Sequence, residues 1–154
     1  MEKVTMRILG LLLLAGATMA QAPVAEVPAP KPIGTIAELM DNLIYPTSDA
    51  VFYVSSRAPR NDVEWNELQA KTLMLAEAAN LLMMPSRARD REGWLKDAKL
   101  LQDAGTAAFR AAKAKDLATL SELNDQMYAA CVACHNDYRP NYRKRPLTPE
   151  KIPQ

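Results

Sequence analysis

The sequence is short of the residues that build most catalytic and disulfide-bonded sites. It has two cysteines, one histidine and five glycines in 154 residues, and both cysteines and the histidine lie between positions 131 and 135. Two cysteines three positions apart cannot form the disulfide framework of a small secreted domain. Any Ser/His/Asp or Cys/His catalytic set would depend on His135 alone. A structural zinc site would need two ligands beyond the cysteines, and carboxylates in that role are unusual.

No charge of one sign dominates the chain. Lysine and arginine number 19 and aspartate and glutamate 18, for a net charge of +1, so a broad nucleic-acid-binding surface is not indicated. Hydrophobic residues make up 49%, enough for the core of one domain of this length. Between residues 33 and 139 there are only three prolines, and the composition there favours helices throughout. The sequence therefore predicts an all-α fold.

The N-terminus has the pattern of a secretory signal peptide. Lys3 and Arg7 precede an apolar run at 8–20, which is too short to span a bilayer. Small residues follow, so we predict cleavage after Ala20; cleavage after Ala22 fits the small-residue rule but puts a proline next. A retained membrane anchor is the alternative. We expect export of a bacterial protein to the periplasm, with no membrane attachment after cleavage.

The remaining chain divides by composition. A Pro/Ala-rich segment follows the signal peptide, and a basic segment containing prolines ends the chain. The predicted divisions are a signal peptide at 1–20, a spacer at 21–33, a helical domain at 34–140 and a tail at 141–154.

Four helical patterns occupy the predicted domain. Thr35 and Glu38 form a capping box at the first helix, and Pro46 predicts a kink or restart within it. The second helix is predicted to begin after Pro59, capped by Asn61 or Asp62, and to end at Pro85. The third is predicted to begin near Asp90, and the fourth to begin at Asp116 and end at Pro140.

Short connectors between helices of about 20 residues predict an antiparallel four-helix bundle. The apolar stripe of the third helix consists mostly of small residues such as Gly105. We expect those residues to leave empty volume beside them.

Cys131-Val132-Ala133-Cys134-His135 is the C-x-x-C-H signature of covalent c-type haem attachment. The two thiols add across the two vinyl groups of one porphyrin, and cysteines three apart on a helix share nearly one face. The next residue, His135, is then placed to bind the iron as the proximal ligand. The motif predicts one covalent haem c near the end of the last helix, with the porphyrin occupying the volume left by the small residues of the third.

A thioredoxin-type dithiol is the main alternative for the two cysteines. That motif belongs at a helix N-terminus near a βαβ pattern, where the helix dipole favours the thiolate. Here the cysteines lie near the end of a helix in an all-α chain, so haem attachment is favoured.

The sixth iron ligand is limited to a methionine or to none, because the chain has no second histidine. Met40 is the leading candidate, since it lies on the apolar face of the first helix. A methionine on an apolar stripe is more often simply part of the core. The competing methionines are Met74, Met83, Met84 and Met127.

With these features the chain resembles class II c-type cytochromes, the family of cytochrome c-prime and its low-spin, methionine-ligated relatives. The resemblance covers residues 34–140 and rests on the exported four-helix pattern, with C-x-x-C-H near the C-terminus. The ending Tyr138-Arg139 matches the family's aromatic-basic pair after the motif.

The resemblance also assigns roles to individual residues. It implies that Arg139 lies beside the proximal histidine and the haem edge; an ordinary solvated cation is the alternative. The run Glu38-Leu39-Met40-Asp41 is similar to the family segment over the open face of the iron, which implies that position for Met40. Many relatives have an arginine near a haem propionate where this chain has Ile36.

These expectations describe a periplasmic monohaem electron carrier and not an enzyme. A peroxidase-type activity lacks the distal histidine that would act as acid or base. The alternative function is a five-coordinate haem module that binds nitric oxide or carbon monoxide. The expected partners are redox proteins, which the basic residues 139–145 could steer, although a solvated tail is the simpler interpretation. The sequence leaves open whether the protein forms a homodimer.

Overall fold

A computed structural model describes residues 28–139 of the chain. The predicted signal peptide at 1–20, both candidate cleavage sites and the tail at 141–154 lie outside the described residues. Of the predicted spacer at 21–33, residues 28–33 are described; they are exposed and contain neither helix nor strand.

Residues 28–139 form four helices and no strand, which confirms the predicted all-α class. Within this part of the chain, none of the helices is both long enough and apolar enough to cross a membrane. Helix α1 covers 36–52 as an α segment, a π-helical turn and a second α segment. The bounds are Ile36–Leu39, Met40–Ile44 and Tyr45–Phe52 for the segments of α1, then Asp62–Leu82 for α2, Gly93–Lys113 for α3 and Leu117–Tyr138 for α4.

Three of the four helices have a side-chain cap at the N-terminus, and those at Thr35 and Asn61 were predicted. The hydroxyl of Thr35 accepts a hydrogen bond from the Glu38 N–H at 3.1 Å, and the Glu38 carboxylate accepts one from the Thr35 N–H at 2.8 Å. At the start of α2 the side chain of Asn61 accepts from the Glu64 N–H, and at the start of α4 that of Asp116 accepts from the Thr119 N–H, each at 3.0 Å. Each cap satisfies N–H groups that the first turn of a helix leaves without partners.

Helix α3 begins slightly later than predicted, at Gly93. The side chain of Asp90 accepts hydrogen bonds from the N–H groups of Glu92 and Trp94 at 3.0 and 3.1 Å. Asp90 therefore orders the turn ahead of the helix.

Helices α2 and α3 run in opposite directions. Trp94, at the start of α3, donates from Nε1 to the carbonyl of Leu82, the last residue of α2, at 2.7 Å. Further along α3, Gly105 lies against Ala76, which is earlier in α2. The residue numbers of the contact partners in α2 therefore decrease as those in α3 increase.

Helices α1 and α4 are antiparallel by the same criterion. Asn124 donates to the carbonyl of Phe52 at 3.3 Å, which joins the end of α1 to the first half of α4. At the other end, Met40 of α1 and His135 of α4 line one cavity. Helix α3 packs most extensively against α2 and α4, and α1 contacts both of those helices. The four helices form a bundle around one core, whose largest fully buried side chains are Trp94, Leu75, Leu82, Leu120 and Met127.

The irregularity predicted at Pro46 takes the form of a π-helical turn. The N–H of Tyr45 bonds to the carbonyl of Met40, five residues earlier. Pro46 has no N–H to give to the carbonyl of Asn42, and it lies in the first turn of the next α segment, where a missing N–H is tolerated. The helix therefore restarts at Tyr45 without a break in the chain direction.

The expectation of empty volume beside the small residues of α3 is wrong at Gly105. A Cβ built on Gly105 would lie 2.9 Å from the Cα and N of Ala76, so the backbone of α2 already occupies that space. The open volume lies nearer the start of α3, where Ala98 and Leu101 line a cavity. The small residue at Gly105 thus brings α2 and α3 close together, whereas Ala98 lies beside open volume.

We predict that Gly105→Ala destabilises the protein by about 1–3 kcal/mol, because the added methyl group forces α2 and α3 apart. Chemical denaturation followed by circular dichroism measures this change. In a helix without such a contact, the same substitution stabilises by up to about 1 kcal/mol. A Gly105→Ala variant as stable as the parent would contradict the close approach described here.

Candidate functional site

The functional candidates meet at a pair of adjoining cavities near the end of α4. The larger has a volume of about 460 Å³ and the smaller about 410 Å³. They share five lining residues, namely Met40, Asp41, Cys134, His135 and Arg139. The larger extends into the bundle, with apolar walls from Ile44, Phe52, Leu82, Ala98 and Leu101.

Most of the residues singled out from the sequence lie together here. Cys131, Cys134 and His135 occupy the last turns of α4, and all three line the larger cavity. Arg139, the residue after α4, lines both cavities. Met40 reaches the same space from α1, which is distant in sequence.

Met40 is the one methionine among residues 28–139 that lines either cavity. Met74 is 46% exposed, and Met127 is fully buried away from both cavities. Met84 lines a separate cavity beside the start of α1, where its sulfur accepts a hydrogen bond from Arg87. Met83 lines none of the three. The packing therefore singles out Met40 from its competitors.

Both cysteines are free and half-buried, and the cavity favours their neutral thiols. Burial raises the pKa of Cys131. Burial raises the pKa of Cys134 to about 11, with smaller contributions from the negative charges of Asp97 and Asp137. A redox-active dithiol requires a lowered pKa, so this environment disfavours the thioredoxin-type alternative.

The imidazole of His135 is also held in its neutral form. Burial lowers its pKa, and the positive charge of Arg139 lowers it further. Neutral imidazole is the form that binds a metal through nitrogen. In the part of the chain that the structure describes, no group of three or more histidine, cysteine, aspartate or glutamate side chains could hold a metal ion by itself.

The end of α4 is held in place by Tyr138. Its hydroxyl donates to the Asp90 carboxylate, and its ring packs edge-on against Trp94 with 5.0 Å between centroids. The bond to Asp90 raises the pKa of Tyr138 to about 12. Arg89 donates to the carbonyl of Tyr138 at 3.2 Å. These contacts hold the last turns of α4, which contain His135, against the start of α3.

Asp97 is a site residue that the sequence analysis missed. It lines the larger cavity from α3, is only 5% exposed, and its Oδ2 is buried without a hydrogen-bond partner. Burial raises its pKa, Asp137 and Asp90 add to this, and Lys96 opposes it. A signal was present in the sequence, because Asp97 lies three residues after Trp94 and four before Leu101, on the apolar stripe.

Two thiols, a neutral imidazole, a thioether and a buried carboxyl group thus line one largely apolar cavity. The thiols can form thioether bonds to an unsaturated ligand. The imidazole nitrogen and the Met40 sulfur can each donate an electron pair to a metal, and they come from different helices.

We predict that Asp97→Asn removes a pH-dependent loss of stability. The ordinary carboxyl pKa is 3.8, and that of Asp97 is raised in the folded protein. As pH rises, Asp97 therefore loses its proton in the unfolded chain at a lower pH than in the folded protein. Between these two pKa values, the contribution of Asp97 to the free energy of unfolding falls. Urea denaturation from acidic to neutral pH should show the variant gaining stability relative to the parent.

Asp103→Asn is the matched control for this measurement. Asp103 is also on α3, but it is exposed and paired with Lys99. A stability difference between Asp97→Asn and the parent that stays constant across the pH range would contradict the interpretation.

Comparisons of the chain with protein-family models, with curated proteins and with solved structures find no match. The chemistry of the cavity therefore has to be inferred from the C-x-x-C-H motif and from the side chains placed around it.

Proposed function

We propose that the protein is a monohaem c-type cytochrome that carries single electrons. Cys131 and Cys134 would hold the haem through two thioether bonds, and His135 would bind its iron. The observation that carries the proposal is the C-x-x-C-H motif on the last turns of α4, in one cavity with Met40. Residues 34–140 would then be a class II c-type cytochrome domain.

The residues around the cavity suit a haem in chemical type. The apolar walls match the porphyrin faces, and the half-buried neutral thiols match the addition of S–H across a vinyl group. The nearby Arg139, and Arg89 on the smaller cavity, supply positive charge for the carboxylates of a porphyrin. When bound, haem supplies the one-electron exchange between ferric and ferrous iron.

The residues of the chain would divide the remaining tasks. His135 presents a neutral nitrogen, and the contacts of Tyr138 hold its turn in place. Met40 would provide the sixth ligand, a thioether that favours the ferrous state and raises the potential. The apolar walls contributed by α1 and α3 keep water from the site.

Electron transfer is proposed rather than an enzymatic reaction, because the single histidine is committed to the iron. Redox proteins are the proposed partners, and we place the mature protein in the periplasm. That location depends on the export pattern at 1–20 and on covalent haem, which is a feature of exported proteins in this family.

We predict that the chain, produced together with a c-type haem maturation system, gains the mass of one haem that survives denaturation. The double variant Cys131→Ser, Cys134→Ser should lack it, because serine hydroxyls do not form the thioether bonds. Mass spectrometry of the denatured proteins makes the comparison. A parent chain that folds but carries no covalent haem would contradict the proposed function.

We predict that Met40→Ala changes the haem-loaded protein from low-spin to high-spin, abolishes the thioether-to-iron charge-transfer band and lowers the midpoint potential. Visible and resonance Raman spectra measure the first two effects, and a redox titration measures the third. Met74→Ala is the control, since Met74 is exposed and away from the cavities.

The spectrum of the parent protein decides between electron transfer and gas binding. A low-spin parent whose spectrum depends on Met40 supports the electron carrier. A high-spin parent that binds carbon monoxide, with a spectrum unaffected by Met40→Ala, would favour the five-coordinate gas-binding module instead.

A further inference from the structure

A buried carboxylate without a partner is an expensive feature in a protein. Asp97 is 5% exposed, and its Oδ2 accepts no hydrogen bond from any described residue. Burying such a group without a hydrogen-bond partner destabilises the folded protein when the group is neutral, and more so when it is charged. Its position on the cavity wall suggests that the cost is linked to the cavity's function.

The surroundings of Asp97 do not neutralise it. The charged groups that act on it are Asp137 and Asp90, which are negative, and Lys96, which is exposed and next to it in the chain. No salt bridge among residues 28–139 includes Asp97. When Asp97 is ionised, no ion pair among the described residues neutralises its charge at the cavity wall.

Asp97 is close enough to Cys134 to act on it electrostatically. The charge of Asp97 is the largest electrostatic contribution to the raised pKa of that thiol, after burial. Cys134 is the proposed attachment point of one edge of the haem. Asp97 and Cys134 line the same cavity, so the carboxyl group lies on the wall of the space proposed for the haem.

We propose that Asp97, when ionised, lowers the reduction potential of the haem through its negative charge on the wall of the cavity that Cys134 also lines. This inference rests on the proposed function. Ferric haem carries one more positive charge than ferrous haem, so a nearby anion stabilises the ferric form more. The apolar cavity strengthens the effect, because charges interact more strongly where water is excluded.

The other acidic residues near the cavities are less suited to this role. Asp41 lines both cavities but is exposed, so water and salt screen its charge. Asp137 and Asp90 are exposed as well. Asp97 is the one buried acid on the cavity wall among residues 28–139. Its proposed effect comes from its charge, and it is not proposed as an iron ligand.

Redox titration of the haem-loaded protein tests the inference, at mildly alkaline pH where the carboxyl group is ionised. Asp97→Asn should raise the midpoint potential, because it removes the charge and keeps the shape. Asp97→Glu retains the charge and should stay near the parent value. Asp103→Asn, the exposed control on the same helix, should also leave the potential unchanged.

Asp97→Ala serves as a second neutral variant if the asparagine amide disturbs folding, and it should raise the potential too. A merely structural role for Asp97 would shift the potential equally in Asp97→Asn and Asp97→Glu, or not at all, and either result overturns the inference. If the parent carries covalent haem but the neutral variants have the same midpoint potential as the parent, the role of Asp97 is refuted and the proposed function is not. Absence of covalent haem from the folded parent would refute the proposed function with it.

Discussion

The packing of Trp94 joins three helices at the end of the bundle where the cavities lie. Its indole N–H bonds to the last carbonyl of α2, its ring supports Tyr138 at the end of α4, and its own backbone belongs to the first turn of α3. The side chain is 2% exposed, so it is also among the largest contributors to the core. The relative position of His135 and the wall of α3 depends on this contact, because each is anchored through Trp94.

Desolvation favours the uncharged form of four titratable groups that line the larger cavity, namely Cys131, Cys134, His135 and Asp97. It raises the pKa values of the two thiols and of Asp97, and it lowers that of His135. All four changes favour the uncharged form, since a charge is costly where water is excluded. A single physical effect therefore prepares neutral thiols and a neutral imidazole, which are the forms that the proposed attachment and ligation need. The same environment raises the free energy of the ionised form of Asp97, because a carboxylate loses hydration there.

Features that depend on neighbouring residues in the chain were predictable from the sequence, and features that depend on packing were not. The starts of α2 and α4 lie where the sequence predicts them, because each depends on a local hydrogen bond, from Glu64 N–H to Asn61 and from Thr119 N–H to Asp116. The role of Gly105 was misread, because residue size alone does not reveal whether a helix or a cavity lies beside it. Asp97 was missed because an acid on an apolar stripe gains meaning only when its surroundings are known. Met40 was selected partly by resemblance, and only the fold distinguishes it from the other methionines by placing it at the cavity.

The π-helical turn of α1 has a consequence for how the cavity wall can vary. It contains one residue more than an α-helical turn, so Leu39 and Ile44, five positions apart, are both buried. Each residue of an α-helix advances the chain by about 100° around the axis. Loss of one residue from this turn would therefore rotate the first segment against the second, while the second kept its contacts with α2 and α4. A single deletion or insertion here would therefore change both the side chain presented to the cavity at position 40 and the burial of Leu39.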